Sequence, residues 1–285
     1  MLPRFDLQQP KGLREALELL AKPGDPVSPL AGGTNLIPDL RNGREAKRRF
    51  MSIARLDELR YVRSVKRTIE IGGGATVNDL LRADDIAKHA PALHASAKAF
   101  AGHMVRSAAT VAGNICYGSP SADLLPPLLI LDAEATIESA GKSRKLPVGQ
   151  LNVGYKKTAL ATGELLTGIV WAKPAKGTRQ HFYKIGMRKG DAISVANAAV
   201  SLKLDGQTSS HVRIALGSVA ATVIRASEAE AFLEGREIDE AAIEKAADLA
   251  AAAAKPIDDL RASKDYRLHV THVLVKRLLR QALEG

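Results

Sequence analysis

Apolar positions change their period several times along this chain, and each change marks an element. Leu13, Ala16, Leu17 and Leu20 stand three and four apart, which predicts an amphipathic helix stopping at Pro23-Gly24. A short apolar run at 27–31 predicts a strand entering Gly32-Gly33-Thr34-Asn35, and 50–53 predicts another. Segments 61–65 and 68–71 predict a hairpin turning at Lys66-Arg67. Gly72-Gly73-Gly74 ends it, with Thr76 or Asn78 placed to cap the helix that follows. The helical pattern runs to about residue 101 and gives way to a polar, small-residue stretch from Arg106 to Asp123. An apolar helix at 124–131 follows, then strands at 135–139 and 145–148 around Gly141, and a strand at 165–172.

A Pro/Gly/Lys-rich link at 173–177 reads as a domain boundary. Beyond it, strands at 180–185, 195–204 and 211–216 predict a small antiparallel sheet, followed by helices at 226–233, 240–254 and 264–283. Tyr266, Val270, Val273, Leu274 and Leu278 form the expected buried stripe of the last helix.

Composition narrows the class. A chain of 285 residues is long for one core and comfortable for two domains. Hydrophobic residues at 46% and charged ones at 25% exclude wholesale disorder and a fibrous repeat. A single cysteine, Cys116, rules out an intramolecular disulfide and any iron–sulfur cluster ligated by this chain alone. The first ten residues read as no secretory signal, and the apolar runs fall well short of the ~20 residues a spanning helix needs. A cytoplasmic protein without a membrane span is the expectation.

Several familiar signatures nearly match and fail. Ala140-Gly141-Lys142-Ser143 ends like a phosphate loop, but it sits on a hairpin turn and Thr136 stands where the first glycine belongs. Gly72-Gly73-Gly74 lacks the third glycine of a dinucleotide fingerprint, because Val77 takes that position. His269 and His272 have no acidic companion at metal-site spacing and read as surface or packing residues. Cys116 reads as a small buried hydrophobe. The basic run at 41–49 is short, interrupted by Glu45 and poor in aromatics, which favours a solvated loop or docking surface over nucleic-acid binding.

Two glycine-rich loops survive. Ala31-Gly32-Gly33-Thr34-Asn35-Leu36 follows a strand, and Thr110-Val111-Ala112-Gly113-Asn114 lies almost eighty residues later. Glycines beside Thr or Asn can turn successive backbone N–H groups toward one point, a nest suited to an anion such as a pyrophosphate. The alternative is that both are plain turns. In the nest reading, a side chain added at Gly33 would occupy the anion's space.

These loops, with Ser119-Pro120 and Asp123 after the second, resemble the flavoprotein (medium) subunit of molybdenum hydroxylases, the xanthine dehydrogenase family, of the carbon monoxide dehydrogenase medium-chain type. Phe100-Ala101-Gly102, Tyr183-Lys184 with Arg188 and Asp191, and Asp265-Tyr266-Arg267 extend the resemblance from about residue 4 to residue 283. It implies an α+β fold: a two-lobed FAD-binding domain of the PCMH type at 1–175, with lobes at about 1–55 and 56–175. A small C-terminal α+β domain with an antiparallel sheet and helices would occupy 178–285. FAD would lie between the lobes. Ala31, Gly32, Gly33, Thr34, Asn35 and Leu36 would face the pyrophosphate, and Thr110, Gly113 and Asn114 the phosphate and ribitol side. Asp123 would sit toward the isoalloxazine, with Phe100, Cys116 and Leu166 as apolar neighbours and Lys184 as a flavin contact. Ala112 stands where the family usually has glycine, which is tolerable only at negative φ.

The implied activity is electron transfer within an oxidoreductase whose substrate is oxidised elsewhere. A large subunit would carry the molybdenum cofactor and a small one two-iron iron–sulfur clusters, assembled as a dimer of heterotrimers. This chain would pass the electrons to an external acceptor. Two other readings remain open from the sequence: a stand-alone FAD oxidase of the related two-lobed fold, and a non-catalytic nucleotide-binding assembly module.

Overall fold

Residues 2–24 and 26–284 are described by a computed structural model. The chain opens with β1 (Asp6–Gln8), α1 (Leu13–Leu20), β2 (Ser28–Leu30), α2 (Leu36–Arg41) and β3 (Arg49–Ser52). These strands form a parallel three-stranded sheet in the order β1-β3-β2. Ala16, Leu17 and Leu20 of α1 are buried with Val27, Met51 and Ile53, so the predicted apolar stripe closes this first lobe.

The second lobe begins with the predicted hairpin, β4 (Val62–Val65) and β5 (Thr68–Gly72), turning at Lys66 with φ 48°. The region expected to be one helical stretch divides into α3 (Val77–Arg82), α4 (Asp84–His89) and α5 (Pro91–Ala99). Extended backbone at Ala83 and the N1 proline Pro91 separate them. Thr76 caps α3 in a reciprocal capping box with Asp79. The polar, small-residue stretch 106–123, to which the sequence pattern assigns no element, carries the end of α6 (His103–Ala108) and all of α7 (Val111–Cys116). Then come α8 (Leu125–Ile130), β6 (Glu134–Ser139), β7 (Lys142–Pro147), the small pair β8 (Asn152–Gly154) and β9 (Lys157–Thr158), and β10 (Leu165–Ala172). A five-stranded sheet, β4-β5-β10-β6-β7, results. Its core joins Ile69, Ile71, Leu80, Leu93, Ile115, Leu128, Ile169 and Trp171.

Past 173–177, which holds no strand or helix, β11 (Thr178–Gly186), β12 (Ser194–Asp205), β13 (Thr208–Gly217) and β14 (Ile224–Arg225) make an antiparallel sheet. The helices α9 (Ser227–Leu233), α10 (Glu240–Ala253) and α11 (Lys264–Glu284) follow. Strand β12 is buried on both faces from Ser194 to Leu202, polar Ser194, Asn197 and Ser201 included. Ala196, Ala198, Val200 and Leu202 pack with Leu274 and Leu278 of α11, while Ala199 joins the core of the second lobe. The expected stripe of α11 needs correction: Tyr266 is 49% exposed and Val273 only half-buried. Arg267, Thr271, Val275, Leu279 and Ala282 are buried instead, alongside Val270, Leu274 and Leu278. A guanidinium tolerates burial there because Arg267 donates to the carbonyls of Val195 (2.9 Å) and Ser218 (2.7 Å) and to Asp259 (2.7 Å). No helix among the described residues is long and apolar enough to cross a membrane.

Candidate functional site

Strand β2 delivers the chain into Ala31–Asn35, and α2 starts at Leu36. Among the described residues, the backbone amides of Gly32, Gly33, Thr34 and Asn35 donate to no protein acceptor. Gly33 is left-handed at φ 67°, the conformation that gathers consecutive N–H groups into a concavity. A Cβ built on Gly33 would meet Ile37 Cγ1 at 3.1 Å and Leu30 Cδ1 at 3.4 Å, atoms of its own lobe. A side chain at Gly33 therefore strains the loop's left-handed backbone and presses on the packing around it. Gly32 is the tighter position, since a Cβ there would lie 1.7 Å from the carbonyl oxygen of Ala108. The two lobes touch at that glycine, backbone to backbone.

The second loop is built differently. Thr110 caps α7, its Oγ1 accepting from Gly113 N at 3.1 Å. Val111 N donates to Ala75 O, Ala112 N to Gly73 O and Asn114 N to Thr110 O. The amides of Val111, Ala112, Gly113 and Asn114 are thus spent on the fold, so the second loop offers far fewer free N–H groups than the first. The second contributes surface, plus the Asn114 side chain, whose Oδ1 accepts from Leu124 N at 3.3 Å. Ala112 sits within α7 at negative φ, and a Cβ on Gly73 would come within 3.1 Å of its methyl. The alanine is accommodated because Gly73 has no side chain.

Between the loops lies a cleft of about 550 Å³. Ala31, Gly32, Gly33, Thr34, Asn35, Leu36, Phe100, Gly113, Asn114, Cys116 and Leu166 all line it. Leu20, Val27, Ile53, Leu160 and Leu165 add apolar wall, and Lys47 adds a cation. Desolvation pushes the Cys116 thiol up to about 12, so it is a neutral, half-buried wall residue. The donor set fits a pyrophosphate: four unpartnered backbone amides and the Thr34, Asn35 and Asn114 side chains, with apolar surface to either side for ring systems.

Thr110, Asp123 and Lys184 stand apart from this lining. Thr110 is occupied as a cap. Asp123 and Lys184 meet each other, Nζ to Oδ2 at 2.5 Å, with both side chains nearly inaccessible. Asn197 Nδ2 donates to Asp123 Oδ1 at 3.0 Å, and Lys184 also donates to Ala99 O at 3.2 Å, beside Phe100. Burial pushes the Asp123 carboxyl above its ordinary range, while Lys184 and Asn197 pull the other way.

Three further motif residues support the loops. Arg106 Nη1 holds the carbonyls of Phe100 and Ala101 at 2.9 and 2.8 Å. The Asp191 carboxylate lies against Gly102, where a Cβ would come within 2.4 Å of Oδ1. Ser218, held by Arg267, donates its N–H to Pro120 O at 2.8 Å. Sequence reasoning missed Tyr117 and Lys47 on the cleft wall. Tyr117 had a legible signal, an aromatic directly after the second loop in a chain poor in them.

The pattern also has known counterparts. The model of the FAD binding domain in molybdopterin dehydrogenase matches residues 3–171, and that of the CO dehydrogenase flavoprotein C-terminal domain matches 181–282. The chain is 32% identical to the carbon monoxide dehydrogenase medium chain of Hydrogenophaga pseudoflava, covering 98% of this chain and 97% of that one. It is 31% identical to the xanthine dehydrogenase FAD-binding subunit of Escherichia coli O157:H7, over 95% and 93% of the two chains. In structure it superposes on a chain of carbon monoxide dehydrogenase from Hydrogenophaga pseudoflava with a TM-score of 0.96 at 33% identity, over 100% and 99% of the chains. Quinoline 2-oxidoreductase from Pseudomonas putida 86 gives a TM-score of 0.93 at 27% identity, over 100% and 99%.

Proposed function

The chain belongs to the family of FAD-binding subunits of molybdopterin dehydrogenases, xanthine dehydrogenase-like oxidoreductases, and on that premise we propose that it is the electron-transfer subunit of a heteromeric molybdenum-dependent hydroxylase or dehydrogenase. The FAD-binding unit is residues 1–175, in lobes 1–55 and 56–175, and residues 178–285 form the second unit. Partners are a large subunit holding the molybdenum cofactor and a small one holding two-iron iron–sulfur clusters, in a dimer of heterotrimers. The chain takes electrons from the small subunit's clusters and passes them to an external acceptor.

The observation that carries this reading is the row of unpartnered amides at Gly32, Gly33, Thr34 and Asn35 facing a cleft of nucleotide size. When bound, FAD supplies one- and two-electron redox chemistry that no side chain here offers. The protein's part is to hold and surround it. The first loop's amides, with Thr34 and Asn35, bind the pyrophosphate, and Asn114 adds a donor from the opposite lobe. Phe100, Gly113, Cys116 and Leu166 exclude water from the adjoining apolar wall. Asp123 and Lys184, outside the lining, fix the Phe100 segment through Ala99 and so orient the wall from behind. The formal charge of +10 favours a dianionic pyrophosphate and acidic partner surfaces.

The purified chain is expected to be yellow, with one FAD per chain released intact by acid. Co-expressed large and small subunits are expected to co-purify with it. A colourless chain that ignores added FAD would return the assembly-module reading, and substrate turnover by this chain alone would return the stand-alone oxidase.

A further inference from the structure

Tyr117 lines the cleft immediately after α7, and its hydroxyl reaches the opposite lobe, donating to Asp39 Oδ2 on α2 at 2.9 Å. Lys156 Nζ donates to the same oxygen at 3.3 Å and lies 4.6 Å from the centre of the Tyr117 ring. One carboxylate thus gathers a phenol and an ammonium from positions 78 and 117 residues away. Both hydrogen bonds are charge-assisted, and Asp39's side chain is only 13% exposed. Burial pushes the Tyr117 phenol above its ordinary range, with Lys156 opposing the push and Asp39 adding to it, so the phenol stays a donor at neutral pH.

The turn carrying Lys156 packs against the chain just after Tyr117. Lys156 has φ 53°, a left-handed conformation that a lysine keeps only where its surroundings impose it. Its N–H donates to Gly118 O at 2.8 Å, and a Cβ on Gly118 would lie 2.9 Å from Lys156 Cα. Thr158 and Leu160, just beyond the turn, also line the cleft. The tie therefore stands on the cleft wall.

We propose that Tyr117, Asp39 and Lys156 form a latch across the cleft that sets how long bound FAD is retained, an inference that rests on the FAD reading above. A dinucleotide held by the first loop and walled by α7 lies between elements that the latch keeps at fixed separation. Opening the latch removes no pyrophosphate donor, yet it lets the walls part. The three are positioning residues.

The test uses the full chain loaded with FAD. Release is followed by the recovery of free-flavin fluorescence on dilution, with thermal unfolding of the apoprotein measured in parallel. Y117F is expected to release FAD about tenfold faster, more than its loss of apoprotein stability accounts for. D39N keeps an acceptor for the Tyr117 hydroxyl while losing the charge that holds Lys156, and should fall between wild type and Y117F. The double variant should release FAD more slowly than the product of the two single effects, because the groups share one oxygen. Wild-type release rates in both Y117F and D39N would overturn the latch, as would faster release matched by an equal loss of apoprotein stability. A wild-type chain that holds no FAD would instead overturn the reading beneath it.

Discussion

A residue's chemistry here follows from what surrounds it more than from its type, and Cys116 is the clearest case. A cysteine on a cofactor cleft suggests a nucleophile or a covalent tether, yet only the thiolate reacts. Desolvation alone moves this thiol up to about 12, with no cation or hydrogen-bond donor opposing it. The sign is direct: at neutral pH the group is protonated and stays so for several pH units above. Iodoacetamide at about pH 8 should leave Cys116 unmodified in the folded chain and label it once the chain is unfolded, as read by mass spectrometry. Rapid labelling of the native protein would show an ionised, accessible sulfur and reopen the question of its role.

At the scale of elements, glycine decides how closely the two loops approach. Gly32 admits no side chain because the Ala108 carbonyl occupies the position its Cβ would take. Gly32→Ala should destabilise the chain by about 1–3 kcal/mol and cost it FAD, since relief requires moving the first loop off the second lobe. Gly43, also left-handed but with open space around it, is the control: Gly43→Ala should be milder and leave FAD binding intact, both read by denaturation and by bound-flavin absorbance. This division also explains what the sequence could reveal. Strand β10 was legible as a largely apolar run buried on both faces, and the β4–β5 hairpin and helices α9–α11 by their residue pattern. Helices α6 and α7 were not, because Ser107, Thr110, Gly113 and Asn114 favour turns and caps, and α7 is fixed by the Thr110 cap and by Ala75 and Gly73 across the fold. The first loop's glycines were legible as a nest. That the second loop spends its amides internally depends on partners some forty residues upstream, which no local pattern records.

Taken as one molecule, the C-terminal sheet is tied to the cleft by the buried Asp123–Lys184 pair, and this pair offers a test of the whole arrangement. Asp123 belongs to the loop after α7 and Lys184 to β11, so the ion pair joins the second lobe to the sheet that α11 covers. Burial already pushes the Asp123 carboxyl up from 3.8, and Lys184 is the main group opposing that push. Lys184→Met removes the opposition and leaves a buried carboxylate without its cation, a change that costs about 3–5 kcal/mol when the charge persists. A carboxyl whose folded value exceeds its unfolded one binds more protons in the native state, so stability falls as pH rises above about 4 toward the folded value. The gap between wild type and Lys184→Met should therefore widen as pH rises above about 4, by chemical denaturation, other groups cancelling in the difference. Adding Asp123→Asn to Lys184→Met should restore much of the loss and flatten the pH dependence, because no buried charge remains. A gap that stays constant across that range would mean that Asp123 finds another cation or water when Lys184 is gone, and that the sheet is not locked to the cleft through this pair.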